Sequence, residues 1–253
     1  MSVTPEYVPG HSLLEGKTVL VTAAAGTGIG SAVAQRCVEE GARVVVSDKH
    51  ERRLGETAER LGVLGIPCDV TNEESVQALF SAATAELGAI DVLVNNAGLG
   101  GSAELHEMTD EQWDVVINVT LNGTMRCTRA ALNHMYANGK GVIVNNASVV
   151  GWRAQAEQAH YAAAKAGVMA LTRCAAIEAG RRGVRVNAVA PSIAMHANLA
   201  KVTTDELLAE LSAREAFGRH AEPWEVANVI VFLASDYSGY MTGEIVSVSS
   251  QHP

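Results

Sequence analysis

The stretch VLVTAAAGTGIGSAVAQ, residues 19–35, decides the fold class. An apolar run is followed by Gly26, Gly28 and Gly30, and then by apolar residues at helical spacing. This order predicts a buried strand, a tight turn and a helix. Glycines in such a turn allow backbone N–H groups to approach a pyrophosphate at the positive end of the helix dipole. The cluster alone is a weak signal, because a tight turn without any ligand needs the same residues.

Strands and helices alternate along the rest of the chain. The predicted strands are continuous apolar runs, which are typical of a parallel sheet covered on both faces. They comprise residues 17–22, 42–48, 63–70, 90–98, 141–148, 184–191 and 243–250. The predicted helices comprise residues 29–40, 50–62, 73–87, 109–137, 155–181, 204–213 and 223–234, with helix starts at Thr71 and Thr109. We therefore predict an α/β fold with a single doubly wound parallel sheet of about seven strands, in one domain over residues 1–253.

Composition argues against several other classes of protein. Hydrophobic residues make up 48% of the chain and charged residues 19%, which permits a large core. The formal net charge of -9 argues against a broad basic surface for nucleic acid. The sequence has no secretory signal pattern, no apolar run of membrane-spanning length, and no C-x-x-C pair or zinc-like spacing among its four cysteines. We expect a cytoplasmic protein with reduced thiols in or near the core, and no metal, membrane or nucleic-acid partner.

Two predicted strands carry an acidic residue at their carboxyl ends, which lie near the glycine turn. Asp48 ends the second strand, where an acid accepts hydrogen bonds from an adenosine ribose. Its carboxylate repels a 2′-phosphate, which favours NAD over NADP, although Lys49 and Arg52 leave NADP open. Asp69 ends the third strand and is placed to meet the adenine. A helix cap or a solvated loop position is the alternative interpretation of each acid.

The segment HYAAAK places Tyr161 and Lys165 four residues apart, on one face of a predicted helix. Ser148 ends the fifth strand, at the sheet edge where ligands bind, and Asn118 lies in the preceding long helix. A nearby ammonium favours the phenolate and lowers a tyrosine pKa, so Tyr161 can exchange a proton with a substrate oxygen. Ser148 can polarise that oxygen, Lys165 can fix ribose hydroxyls, and Asn118 can hold a water molecule on the proton path. This constellation predicts the interconversion of an alcohol and a ketone.

These motifs, together with NNAG at 95–98 and VRVNAVAPS at 184–192, resemble the short-chain dehydrogenase/reductase family over nearly the whole chain. The resemblance implies a Rossmann-like fold, an NAD(P) cofactor, a Ser-Tyr-Lys site assisted by Asn, and a homotetramer or homodimer. The cofactor contacts that it implies are Thr22, Gly26, Gly28, Ile29, Gly30, Asp48, Asp69, Val70, Asn96, Ala97, Gly98, Tyr161, Lys165, Pro191, Ile193 and His196.

The chain departs from the usual family pattern at three places. Ala23 follows Thr22 where a glycine is usual, and the last two glycines fall one residue late, so Gly26 is the candidate for the missing early glycine. Ser192 follows the proline after the sixth strand, and His196 replaces the threonine expected five residues after that proline. His196 can hydrogen-bond the cofactor, point into the substrate pocket, or lie in an exposed loop. Finally, the chain ends SVSSQHP where a glycine pair is common.

The segment ASVVGWRAQ is similar to that of actinobacterial members of the family that act on ring hydroxyls of bicyclic acyl-CoA intermediates from steroids. This resemblance implies that Trp152, Arg153, Gln155 and His196 shape the substrate site, with a lid over residues 192–212. An exposed salt bridge is the alternative role for Arg153, and no basic cluster speaks for CoA. Two other functions stay open: a 3-oxoacyl-thioester reductase of fatty-acid type using NADPH, and an NAD-binding scaffold without catalysis.

Overall fold

The computed structural model describes residues 4–194 and 205–250. Within this part of the chain, parallel strands form one sheet in the order β3-β2-β1-β4-β5-β6-β7. The strands are β1 (Thr18–Val21), β2 (Arg43–Asp48), β3 (Leu64–Pro67), β4 (Val92–Asn95), β5 (Gly141–Asn146), β6 (Val184–Pro191) and β7 (Ile245–Val248). The predicted doubly wound sheet is confirmed.

Helices cover both faces of this sheet. They are α1 (Ile29–Glu39), α2 (Glu51–Leu61), α3 (Glu73–Leu87), α4 (Asp110–Ile117), α5 (Gly123–Asn138), α6 (Ala159–Gly180), α7 (Asp205–Ala213) and α8 (Pro223–Ala234). Side chains alternate along each strand, so β1 directs Val19 and Val21 into the layer of α1 and α8, and Leu20 into the layer of α3, α5 and α6. Burial on both faces explains why the central strands β1 and β4 are largely apolar.

The strand order places the ligand-binding edge. The chain runs outward from β1 through β2 to β3, and then returns to β4 on the other side of β1. A crevice opens at such a reversal, outside the carboxyl ends of the strands. The segments that follow β1, β2, β4, β5 and β6 all begin at this edge, so the predicted site residues on those segments are brought to one end of the sheet.

The predicted long helix at 109–137 is interrupted. A π-helical turn, Asn118–Asn122, separates α4 from α5, and the Gly123 N–H donates to the carbonyl of Asn118 five residues earlier. The wider turn inserts one residue into the helical repeat and so redirects the side chains inside it. Apolar spacing cannot reveal such a turn, because the pattern on either side stays helical.

Local hydrogen bonds decide two helix starts. Thr109 caps α4 with a capping box that includes Gln112, as predicted. Asn72, rather than Thr71, caps α3 by accepting from Ser75 N, because the Thr71 hydroxyl donates to Asp69 instead.

Three elements are also shorter than predicted. Helix α6 begins at Ala159 instead of residue 155, since Glu157 has a left-handed φ of 62° that no helix accommodates. Strand β3 ends at Pro67, so Asp69 lies beyond it. Strand β5 ends at Asn146, so Ser148 follows the strand instead of ending it.

Residues before β1 pack along α1 and α8. Glu40, which is fully buried, accepts hydrogen bonds from His11 N and Leu13 N and forms an ion pair with Arg36. The Tyr7 ring meets Trp224 of α8 edge to face, with 5.3 Å between ring centroids. This segment, residues 5–14, is called the N-terminal strap below.

The burial of the four cysteines agrees only in part with the sequence analysis. All four thiols are free, and Cys37, Cys68 and Cys127 are buried as predicted. Cys174 is exposed, because it lies on the outward face of α6, so the prediction of a core position is wrong for this residue. Among the described helices, none has both the length and the apolar character that crossing a bilayer requires.

Candidate active site

The turn after β1 contains a strained alanine. Ala23 has a φ of 49°, in the left-handed region that costs a residue with a Cβ atom about 1–2 kcal/mol. Gly26, with a φ of 94°, takes a second left-handed position, and Gly28 caps α1 without any side-chain hydrogen bond. A Cβ atom at Gly30 would collide with the Ala23 carbonyl and the Asn96 amide. Ala23 and Gly26 therefore share the unusual backbone of this turn, and Gly30 allows its close packing.

Thr22 and Asn96 join the ends of β1 and β4. The Thr22 hydroxyl accepts from Asn96 N at 3.1 Å and Ala97 N at 3.4 Å, and lies 3.4 Å from the Val94 carbonyl, to which it donates. The Asn96 side-chain amide donates to the Ala23 carbonyl at 2.9 Å. These bonds hold the glycine turn against the segment after β4 and help to retain Ala23 in its strained conformation.

Asp48 is fixed by backbone N–H groups at the end of β2. One carboxylate oxygen accepts from Ala25 N at 3.2 Å, and the other accepts from His50 N at 2.9 Å. Thr57 of α2 supports the same turn, because its hydroxyl accepts from Gly26 N at 3.2 Å. The structure thus brings Asp48 to the glycine turn and holds its carboxylate in a defined orientation.

Asp69 and Val70 lie farther along the same edge. Asp69 is exposed, and its hydrogen bonds with Thr71 hold the pKa of its carboxyl below the ordinary value. Val70 is buried against Gly123, where a Cβ atom would lie 2.7 Å from Val70 Cγ2. Both residues are therefore placed after β3, with the side chain of Asp69 open to solvent.

The predicted catalytic group lies beside the glycine turn and consists of Ser148, Tyr161 and Lys165. The Tyr161 phenol forms a hydrogen bond with Ser148, and the Lys165 Nζ lies 5.5 Å from the centre of the Tyr161 ring. Ser148 is oriented by its position after β5, where its hydroxyl accepts from Val150 N at 3.3 Å. Lys165 is buried and donates to the Asn146 carbonyl at 2.5 Å. A shared helical face of α6 and the end of β5 create this group.

Burial shifts the pKa values of both Tyr161 and Lys165. It lowers the pKa of Lys165 to about 8, because a desolvated ammonium is less stable than the neutral amine. Burial raises the pKa of Tyr161 above its ordinary value, and the hydrogen bond with Ser148 acts in the opposite direction. Burial therefore favours the protonated phenol of Tyr161 beside a lysine whose pKa is lowered to about 8.

The structure does not bring Asn118 to this group. Its amide oxygen accepts from Arg126 Nη1 at 3.0 Å, in a shallow surface depression between α4 and α5. Thr120, two residues later in the π turn, is the residue that lies beside Lys165 across Gly98. A Cβ atom at Gly98 would be 3.4 Å from Lys165 Nζ and 4.0 Å from Thr120 Cγ2.

Thr120 also orders the segment after β4. Its buried hydroxyl accepts from Leu99 N at 3.0 Å and donates to the Leu99 carbonyl at 3.1 Å. The next residue, Gly100, faces Tyr161, because a Cβ atom there would lie 3.8 Å from the tyrosine ring. The imidazole of His160 accepts from Tyr161 N at 2.9 Å and is itself buried. The tyrosine is therefore held from both the helix side and the loop side.

Comparison with known proteins agrees with this geometry. The family model described as enoyl-(acyl carrier protein) reductase matches residues 23–250. The chain is 62% identical to "(5R,7aS)-5-hydroxy-7a-methyl-1-oxo-2,3,5,6,7,7a-hexahydro-1H-indene-carboxyl-CoA reductase" of Mycobacterium tuberculosis, covering 100% of this chain and 99% of that protein. This chain belongs to the short-chain dehydrogenase/reductase family. It is an oxidoreductase of a family that uses NAD(P).

Two further relatives support this membership. Cis-4-hydroxycyclohexanecarboxylate dehydrogenase of Sinomonas cyclohexanicum is 44% identical, with 91% of this chain and 94% of that protein covered. A crystal structure of a short chain dehydrogenase from Mycobacterium smegmatis superposes with a TM-score of 0.90 at 59% identity, covering 100% of this chain and 99% of that one. The short-chain dehydrogenase/reductase fold is therefore shared over the full length.

The residues of this short-chain dehydrogenase/reductase fit a bound dinucleotide. Helix α1 starts at Ile29 after the N-cap Gly28, which has no side chain to bond the first N–H groups, so its positive end faces the turn where a pyrophosphate would bind. The absence of a Cβ atom at Gly30 allows the turn to pack closely. Asn146 Oδ1 is buried and accepts no hydrogen bond from the described residues, so an acceptor is available to a hydroxyl group or a water molecule.

The substrate-side predictions of the family resemblance fall on a short segment after Ser148. Trp152 is exposed, Arg153 is partly buried, and Gln155 is exposed. After β6, the Pro191 carbonyl lies 3.5 Å from the Ser148 hydroxyl, and the Ile193 carbonyl accepts from Ala221 N. His196 and residues 195–204 of the predicted lid lie outside the described residues. The structure thus places Pro191 at the site and leaves the role of His196 a prediction.

Sequence reasoning missed three supporting residues of this family member. Thr57 gives no local signal, because its contact with the glycine turn depends on how α2 packs. Thr120 lies between Asn118 and Asn122, so the sequence alone does not distinguish it from its polar neighbours. Asn146 belongs to the segment VNNA at 144–147, which repeats the VNNA at 94–97. The repetition marks both strand ends, and the parallel register then sets them side by side.

Proposed function

We propose that this enzyme interconverts a ring hydroxyl and a ring ketone on a bicyclic, steroid-derived acyl-CoA, with NAD(H) as its cofactor. The observation that carries the reaction is the meeting of Ser148, Tyr161 and Lys165 beside the glycine turn. The substrate class is supported by the 62% identity, over the whole chain, to the indene-carboxyl-CoA reductase. Residues 1–253 are proposed to form one catalytic domain that assembles into a homotetramer or homodimer and works in the cytoplasm.

Tyr161 is the proposed acid and base. In reduction its phenol donates a proton to the carbonyl oxygen, and in oxidation it accepts the hydroxyl proton. Ser148 donates a hydrogen bond to the same oxygen, which stabilises the charge that develops there. The Lys165 ammonium stabilises the phenolate that remains after proton donation. The bound nicotinamide supplies or accepts the hydride at the carbon atom.

Asp48 is the proposed determinant of cofactor choice. Its two bonds to Ala25 N and His50 N fix a negative charge after β2. A ribose hydroxyl can donate to such a carboxylate, whereas a 2′-phosphate is repelled by it. Lys49 and Arg52 are exposed at the same end of α2, but Arg52 forms an ion pair with Glu56 at 2.6 Å. We therefore propose NAD(H) as the preferred cofactor. Thr22, the turn glycines, Asn96 and Lys165 are proposed to hold it.

Trp152, Arg153 and Gln155 are proposed to lie on the substrate side, directly after the 3₁₀ turn that Ser148 caps. Trp152 offers a flat apolar surface to a fused ring, and 43% of it is exposed. Arg153 offers a cation to an anionic group of a CoA ester. The short loop holds these residues close to Ser148, so their contacts are expected to select the substrate without taking part in proton transfer.

The test compares wild type with Tyr161→Phe on a bicyclic keto acyl-CoA and on a linear 3-oxoacyl-CoA, each with NADH and NADPH. We expect at least about tenfold higher kcat/KM for the bicyclic substrate with NADH. Tyr161→Phe is expected to lower kcat by roughly 10²–10⁴-fold, the range of general acid–base catalysis, while NADH binding measured by calorimetry is retained. Tyr136→Phe is the control, since that ring lies against Arg182 instead.

Two results would contradict the proposal in different ways. Preference for the linear substrate with NADPH would favour a fatty-acid-type 3-oxoacyl reductase. Tight NADH binding without turnover of any ketone would indicate a cofactor-binding scaffold. Activity of Tyr161→Phe equal to that of Tyr136→Phe would remove Tyr161 from the chemistry.

A further inference from the structure

The same four residues, VNNA, span the carboxyl ends of β4 and β5, and the parallel register aligns the two copies. Asn95 is paired in register with Asn145. Successive side chains of a strand point to opposite faces, so the following residues, Asn96 and Asn146, share the face opposite to that pair. The Asn146 amide donates to Asn96 Oδ1 at 3.0 Å. One pair of amides thus serves each face of the sheet.

The pair Asn96 and Asn146 connects two parts of the site. Asn96 donates to the carbonyl of Ala23 in the glycine turn at 2.9 Å, and Asn146 donates to Asn96. The backbone carbonyl of Asn146 accepts from Lys165 Nζ at 2.5 Å. Two side-chain hydrogen bonds therefore connect the strained turn to Asn146, and the backbone carbonyl of the same residue binds the buried lysine.

We propose that Asn146 is a positioning residue that couples cofactor binding at the glycine turn to the position of Lys165. This inference rests on the proposed function, in which the turn holds the pyrophosphate and Lys165 supports Tyr161. Movement of the turn on binding displaces the Ala23 carbonyl, and the amide pair transmits that displacement to the peptide that holds the lysine. Asn146 acts through Lys165 and is not itself required to touch the substrate.

The amide of Asn146 has a further capacity for binding. Its Oδ1 is buried and has no partner among the described residues. A buried acceptor without a partner carries a desolvation cost that a hydroxyl group or a water molecule can remove. We therefore expect this oxygen to accept a hydrogen bond when the cofactor is bound. Loss of the Asn146 amide should then weaken cofactor affinity as well as change the position of Lys165.

Asn145 provides a matched control on the same strand. It is fully buried, accepts from Asn95 at 2.9 Å and donates to Thr172 at 2.9 Å. Replacing either asparagine removes one amide with hydrogen bonds from β5. A purely structural role predicts similar consequences for both, whereas the proposed coupling is confined to Asn146.

The first measurement is a double-mutant cycle on NADH affinity with Asn96→Ala, Asn146→Ala and the double variant, using calorimetry. We expect each single change to raise the Kd about tenfold, which corresponds to one lost hydrogen bond, and the double variant to raise it hardly further. Asn145→Ala is expected to lower the Tm and leave the Kd within about twofold. Asn146→Ser, a milder change, replaces Asn146→Ala if the latter does not fold.

The second measurement follows Lys165 directly, by amine-specific labelling and mass spectrometry with and without saturating NADH. In wild type and Asn145→Ala we expect NADH to slow labelling of Lys165. In Asn146→Ala we expect saturating NADH to slow the labelling less than in wild type, because the contact of Lys165 with NADH remains but the coupling to the glycine turn is lost. Additive Kd effects, or unchanged labelling protection in Asn146→Ala, would overturn the coupling. Failure of the wild type to bind NADH would instead contradict the proposed function.

Discussion

Lys165 carries its charge in a place where burial opposes it. The side chain is 3% exposed, and desolvation lowers its pKa to about 8. A lysine in water stays charged far above neutral pH, but here the ammonium is lost as the pH rises through about 8. Below that pH the charge remains beside Tyr161 and stabilises its phenolate. The residue can therefore support proton donation only over a limited range of pH.

This titration predicts the alkaline limit of ketone reduction. We expect kcat/KM for NADH, which reports ionisations of the free enzyme, to fall as the pH rises through about 8. Lys165→Arg keeps its charge at every accessible pH, so its activity is lower but the fall near pH 8 disappears. Lys140→Arg, at an exposed ion pair with Asp91, is the control. An unchanged alkaline fall in Lys165→Arg would assign that titration to another group.

The π turn between α4 and α5 shows how one element selects its functional side chain. In an uninterrupted helix, residues 118 and 120 would be spread over different faces by about 100° per residue. The π turn keeps the two residues on different faces: Asn118 is partly buried beside Arg126, and Thr120 lies in the interior. Thr120 then satisfies both backbone groups of Leu99. The element thereby orders the loop that faces Tyr161.

Substitution at the π turn tests this placement. Thr120→Val removes the hydroxyl but keeps the shape, and it leaves two polar groups of Leu99 unpaired at a cost of about 1–3 kcal/mol. We expect kcat/KM to fall about tenfold, with recovery in Thr120→Ser. Thr128→Val, which removes a buried hydroxyl that accepts from Asn95, is the stability control.

Asn118→Ala supplies the converse measurement on the same turn. Because the Asn118 side chain contacts Arg126 and has no described contact with Tyr161 or Lys165, we expect this variant to retain kcat/KM within about threefold of wild type. A greater loss in Asn118→Ala than in Thr120→Val would restore Asn118 to the proton path that the sequence predicts.

At the scale of the whole molecule, the N-terminal strap joins helices that are distant in sequence. Glu40 holds the strap through His11 N and Leu13 N, and also holds Arg36. Tyr7 extends the contact to Trp224 of α8. These bonds lie around the C-terminal end of α1, whereas the glycine turn lies at its other end. The strap is therefore expected to support stability and to leave the chemistry unchanged.

Glu40→Ala tests this separation. Removing one partner of a buried ion pair costs about 3–5 kcal/mol, because the remaining charge is left without compensation. We expect the Tm to fall by roughly 10 °C, while kcat/KM at 20 °C or below stays near the wild-type value. Glu56→Ala, at the exposed pair with Arg52, should leave Tm almost unchanged. Equal Tm values for the two variants would show that the strap adds no stability.

Local sequence determined the order of strands and helices, the glycine turn, and the shared helical face of Tyr161 and Lys165. Each depends on spacing within one element, which residue pattern and backbone hydrogen bonding set directly. The sequence also predicted a ribose contact for Asp48, because this acid ends the strand that follows the glycine turn. It could not identify the two bonds that orient the Asp48 carboxylate, since these require β2 to lie beside β1.

Tertiary structure alone decided which polar residues meet. Strand order and parallel register bring Asn96 beside Asn146, although 50 residues separate them. Packing of the segment after β4 against the π turn gives Thr120 its contact with Leu99, whereas Asn118 contacts Arg126. Sequence patterns report contacts between near neighbours in the chain. The connection from Ala23 to Lys165 depends on the packing of the complete sheet.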